Sequence, residues 1–167
     1  IRDTWSITPT DNPASVRSIV RHEGQWLVGT DQGVFAGPTA SQFLANPQLW
    51  EAWEGSPDLG GVLELVRFGD AWWMATGSEA GNDVVIWKGL DDGLWEVMEG
   101  WPAEGDTYGG MAFGDWILND TLGRSPGLVV SSCCLALGFD EAGNATPIKH
   151  PLPPWAIVKD LAIFEEG

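Results

Sequence analysis

The chain has 167 residues, enough for one sizeable core or a few stacked supersecondary units, and 44% of them are apolar, with 11 Trp and 22 Gly. That balance excludes a disordered chain and suits an all-β protein whose aromatic side chains wedge between packed sheets. With 24 acidic against 8 basic residues, a net charge of −16, a surface built to neutralise phosphates is excluded, so no nucleic-acid partner is expected.

Lys occurs only at Lys88, Lys149 and Lys159, which leaves little to attract an anionic membrane surface. No apolar run approaches the ~20 residues of a membrane span, and no charged-then-apolar leader opens the sequence. A soluble protein is expected, outside the cell or on a particle surface, with the compartment otherwise unread. Ile1 in place of Met points to a processed, excised or partial chain.

In chain order, Trp5-Ser6-Ile7-Thr8 followed by Pro13 reads as a lone closing strand at about 4–9. Val16 to Gly37 reads as three short strands, about 16–21, 26–30 and 33–37, broken by the turns His22-Glu23-Gly24 and Asp31-Gln32-Gly33. A fourth strand at 49–54 leads to Pro57, which suits a strand end because Pro cannot donate to a ladder. A second copy follows at 62–67, 72–76, 84–88 and 94–99, closed by Pro102.

The copies are in register. Val16 to Arg21 lies over Val62 to Arg67 at a spacing of 46 residues, which also brings Trp26 onto Trp72 and Thr30 onto Thr76. Trp50-Glu51-Ala52-Trp53-Glu54 lines up with Trp95-Glu96-Val97-Met98-Glu99. Phe68-Gly69-Asp70 matches Phe113-Gly114-Asp115, 45 residues on. That match sets the third copy at 109–113, 116–119, 127–132 and 145–149, with an excursion between its third and fourth strands carrying Cys133-Cys134 and the turn Asp140 to Asn144. A last first-strand copy begins at Val158-Lys159-Asp160-Leu161-Ala162.

Four strands in roughly 45 residues is the blade of a β-propeller. The expectation is therefore an all-β chain, a single β-propeller segment over 1–167 built of four-stranded antiparallel blades. The blades fall at about 16–57, 62–102 and 107–153, with partial blade strands at 4–9 and 157–165. A β-sandwich with coincidental spacing is the alternative. Propellers usually close with four or more blades, so further blades of the same polypeptide or another protein chain are expected to complete the ring.

Trp26-Leu27-Val28-Gly29-Thr30, a turn, and then Gly33-Val34-Phe35 resemble the repeats of sialidase-like and photosystem-assembly-factor-like propellers. Asp91-Asp92-Gly93-Leu94-Trp95 is similar to a degenerate Asp box, the Ser-x-Asp-x-Gly-x-Thr-Trp turn of that group, lacking the Ser and Thr and one residue short. A sialidase site would need an arginine cluster, a Tyr nucleophile with an acidic partner and an Asp acid/base. The chain has one Tyr, Tyr108, and Arg at 2, 17, 21, 67 and 124, with Arg21 and Arg67 at the same place in successive copies. No complete catalytic set is visible, and a non-enzymatic protein is expected.

The remaining chemistry is sparse. His22 lies in a hairpin turn, where a solvated role is expected, and His150 in the Pro-rich exit; with no Gly-x-Ser-x-Gly elbow, no nucleophilic triad assembles. Adjacent Cys133 and Cys134 read either as a strained vicinal disulfide or as two small residues in an edge strand or loop. Neither they nor the turn carboxylates Asp91-Asp92, Asp140-Glu141 and Glu165-Glu166 have metal-ligand spacing, so no metal and no cofactor are expected. Asn119-Asp120-Thr121 and Asn144-Ala145-Thr146 are formal glycosylation acceptors.

Loops joining fourth to first strands, and second to third, would gather on one face of a propeller. The candidate binding residues there are Asp31, Glu79, Asp83, Trp101, Tyr108 and Arg124. Aromatic rings among carboxylates suit a glycan or a basic protein partner. Three functions follow. The first is a non-enzymatic scaffold or recognition module for protein assembly, such as a virion or tail component. The others are a lectin-like glycan binder and a fragment of a sialidase-like glycoside hydrolase.

Overall fold

The structure, a computed structural model, describes residues 14–40, 46–56, 60–77, 83–90, 93–99, 108–117, 124–132 and 136–148. These residues are all-β and form three antiparallel four-stranded sheets, with one 3-10 turn at Pro47–Leu49. The first sheet comprises β1 (Val16–His22), β2 (Gln25–Thr30), β3 (Gly33–Pro38) and β4 (Glu51–Ala52). The second comprises β5 (Val62–Phe68), β6 (Ala71–Thr76), β7 (Val85–Gly89) and β8 (Trp95–Val97). The third comprises β9 (Tyr108–Ile117), β10 (Arg124–Ser132), β11 (Ala136–Phe139) and β12 (Ala145–Ile148). Each sheet is a meander paired in chain order.

Turn chemistry makes the meanders. Glu23 and Gly24 both have positive φ, 47° and 78°, the conformation that joins two strands without splaying them. Strand alternation then gives each sheet two apolar faces. From β2, Leu27 joins Val34 against Val62, Leu65 and Met74 of the second sheet. Its neighbour Val28 turns the other way, onto Trp50 with Ala14, Trp26, Phe35 and Leu49.

The second sheet uses both faces. Its far face sets Phe68, Trp73, Ala75, Val84, Ile86 and Met98 against Met111, Leu128, Val130, Leu137 and Phe139 of the third sheet. Trp73 is the hub: it is fully buried, with ring centroids 6.3 Å from Phe68 and 5.5 Å from Phe139. Its indole N–H has no hydrogen-bond partner among the described residues.

The first strands of the sheets are neighbours, β1 beside β5 and β5 beside β9. Each carries a β-bulge at its start, where register slips between Val16 and Ser18, between Val62 and Glu64, and opposite Ser131/Ser132 beside Tyr108 and Gly110. The residues that the register skips, Arg17, Leu63 and Gly109, are each 46 residues apart. The residue after the first two bulges reaches the next sheet. Ser18 Oγ accepts from Leu65 N–H at 3.1 Å, and Glu64 Oε2 accepts from Met111 N–H at 2.8 Å.

The fourth strands also repeat: Trp53 N–H donates to Val34 O, and Met98 N–H to Ile86 O, each at 2.9 Å. The third sheet departs from expectation. Phe113-Gly114-Asp115 is not a hairpin; it lies inside β9, paired with Leu128, Gly127 and Pro126. The second strand is therefore 124–132 rather than 116–119, and the third is 136–139 rather than 127–132. Cys133-Cys134 consequently fall between β10 and β11, the second and third strands, and not in an excursion after the third. The partial strands expected at 4–9 and 157–165 lie outside the described residues.

Candidate functional site

One end of the molecule collects the entries to the first strands and the turns between second and third strands. Asp31 N–H donates to Ser15 O at 3.3 Å, and the equivalent Gly77 N–H donates to Gly61 O at 3.2 Å. Asp31 also accepts from Ser15 N–H through Oδ1 at 2.8 Å, so its carboxylate serves as a clamp on the turn, although the residue is exposed. Asp83 reaches the same end, since its carbonyl oxygen would lie 3.1 Å from a Cβ built on Gly77. Tyr108 starts β9 opposite Ser132 and brings its backbone to the corresponding end of the third sheet.

Arg124 does not join them. It pairs with Ile117 at the far end of β9 and β10, because β9 runs on through Gly114 before turning. Glu79, Trp101, Cys133 and Cys134 lie outside the described residues. The structure thus brings three of the six expected binding residues, Asp31, Asp83 and Tyr108, to a common end and sends a fourth to the other.

The seam between the first and second sheets holds an aromatic cluster. Trp72 lies edge-on to His22 at 4.9 Å and to Trp53 at 5.3 Å, and the Arg67 guanidinium sits 5.4 Å from its ring. Trp53 also meets Trp95 at 6.5 Å, and Trp95 donates its indole N–H to Gly55 O at 2.8 Å. His22 is therefore a packing residue at the end of β1, not the solvated turn residue expected. At the seam between the second and third sheets, besides the Trp73–Phe139 contact, Lys88 Nζ donates to Glu141 O at 2.6 Å.

The least expected feature is the outward face of β1. Val16 and Ile19 are 41% and 56% exposed, whereas Val62 and Leu65, at the same repeat positions in β5, are 2% and 1% exposed beneath the first sheet. Beside them Val28 is buried against Trp50, whose ring covers Gly37 so closely that a Cβ there would lie 2.6 Å from it. The outer part of this face is thus closed by the chain's own Trp50, and the inner part is open. The bridging residues Ser18 and Glu64 were not among the expected site residues, yet a signal existed: both are polar, and they superpose between the apolar pairs Val16/Ile19 and Val62/Leu65.

Among the described residues no group of three or more His, Cys, Asp or Glu side chains could hold a metal ion. No helix among them is long and apolar enough to cross a membrane. No protein-family model matches the chain, and no curated protein matches it.

Proposed function

We propose that the chain is a non-enzymatic β-propeller segment serving protein assembly or recognition, whose first sheet receives a further sheet on its open face. The observation that carries this reading is the contrast between exposed Val16 and Ile19 and their buried counterparts Val62 and Leu65. Faces equivalent to that of β1 are covered by a sheet in both places where a preceding sheet exists. The side-by-side first strands, with bulges and cross-sheet hydrogen bonds at one 46-residue step, also support a radial stack of blades.

The test is Ile19→Asp, examined by equilibrium denaturation and by light scattering after size-exclusion chromatography. A covered Ile19 gives a loss of more than about 2 kcal/mol or a change in assembled mass, because a buried unpaired charge is costly. A change within about 0.5 kcal/mol and an unaltered mass would show a solvated surface position and overturn the reading. The glycan-binding alternative draws on the placement of Asp83 and Tyr108 at the corresponding ends of the second and third sheets. A glycan array with no binding to the assembled protein removes it.

A further inference from the structure

Among the described residues, the large apolar side chains left exposed fall in two places. One is the open face of β1, with Val16 and Ile19. The other is the edge of the second sheet at the β7–β8 hairpin, where Leu90, Leu94 and Val97 are 40%, 63% and 46% exposed. Leu90 N–H donates to Leu94 O at 2.7 Å, which sets the two leucines side by side at the hairpin tip.

The two places carry opposite charge. In a chain of net charge −16, β1, β2 and β3 contain Arg17 and Arg21 and no Asp or Glu. Arg21 is exposed and shares the open face with Ile19, two residues before it. Their ladder partners, Trp26 and Val28, both pack on that side. At the other place β8 and its exit carry Glu96 and Glu99, both exposed. Lys88, opposite Glu96 in the ladder, donates to Glu141 O at the third sheet.

Resting on the reading above that the β1 face is covered, we infer that its occupant is a second copy of this chain. The β7–β8 tip of one copy lies on β1 of the next, with Leu90 and Leu94 over Val16 and Ile19 and with Glu96 beside Arg21. Each patch answers the other in apolar character and in charge, whereas either patch set against its own counterpart would oppose like charges. The contact is heterologous, so every copy keeps one patch of each kind to offer, and the assembly is a ring or a filament. The net charge sets whole copies against each other at long range, but at about 0.15 M salt that repulsion is screened beyond roughly 8 Å, and a pair in contact is screened much less.

Sedimentation velocity of the full chain over a concentration series, at about 0.15 M salt, tests this. The mass is expected to rise with concentration. Arg21→Glu and Glu96→Arg should each weaken association at least tenfold on their own, since each places like charges across the contact. An equimolar mixture of the two variants should associate again, because each then offers the charge that the other lacks. Leu94→Ser should weaken association too, with the denaturation midpoint of the isolated copy unmoved, because the side chain it shortens is exposed. A mass that stays at one chain throughout the series overturns the inference. So does association that the two charge variants leave unchanged, or that their mixture fails to restore. In each of these cases the covered-face reading still stands if Ile19→Asp destabilises the protein or alters its mass; a silent Ile19→Asp in a chain that never associates ends both.

Discussion

Single atoms decide several positions in these sheets. A Cβ on Gly29 would lie 2.5 Å from Ser18 Oγ and 2.9 Å from Val62 Cγ1, so glycine is what lets β2 approach the second sheet. Gly37 is held bare by the Trp50 ring in the same way. Gly37→Ala is expected to cost about 1–3 kcal/mol, read by urea denaturation, since the indole must leave its place. Trp73→Ala should cost about 3–5 kcal/mol. Trp73→Phe should cost clearly less, because it keeps much of the ring and deletes a donor that has no partner among the described residues. The sequence showed Thr30 as a recurring landmark beside Trp26, but not why Gly29 precedes it where the second copy has Ala75; the reason lies in Ser18 and in Val62, far along the chain. Nor could it show that His22 would lie against Trp72 instead of in water.

Elements are where reading by repetition succeeded and then slipped. The first two sheets were legible strand by strand, because their turns are short and their alternation is regular. The third was not: Phe113-Gly114-Asp115 copies the letters of Phe68-Gly69-Asp70, but the ladder with 126–128 continues through it. Three residues do not distinguish a turn from an extended strand when a longer pairing is available beyond them. Gly69 is the true turn, with φ +60°, and Gly69→Ala should destabilise by about 1 kcal/mol by thermal melting.

The β11–β12 turn makes a second prediction at this scale. Burial pushes the Asp140 carboxyl up. Hydrogen bonds from the Asn144 side chain and from the backbone N–H groups of Asn144, Gly143 and Ala142 outweigh that and hold it below its ordinary value. Both Asn144 contacts are 2.8 Å long. A lowered folded-state value means that stabilisation is present above the unfolded carboxylate value of about 3.9 and is lost as pH falls through the folded one. The stability gap between wild type and Asp140→Ala, measured by denaturant titration, is thus expected to be full near neutrality and to narrow below about pH 4.

At the scale of the molecule, stability is a matter of sheet upon sheet. Leu65 is almost wholly buried between the first and second sheets, and Leu65→Ala should cost about 2–5 kcal/mol in a chemical denaturation curve. Glu64→Ala strips Met111 N–H of its acceptor and should cost about 1–3 kcal/mol, while Glu64→Gln, which keeps an oxygen, should cost less. The all-β class was legible from composition and turn spacing. Which face stayed open was not, because it depends on what lies beside β1 and not on the residues of β1, which closely resemble those of β5.

The bridges from Ser18 and Glu64 give the stack a direction. The first and second sheets each extend an acceptor to the one that follows, and the second and third each receive one from the sheet before, so the two sides of the second sheet are not interchangeable. Gly110 ends that sequence of hand-holds, and the third sheet can be reached by the second without reaching further in the same way. A chain with its second sheet duplicated in place should accept the insertion, with Glu64 of one copy serving the next. Exchanging the second and third sheets would break the series in the middle.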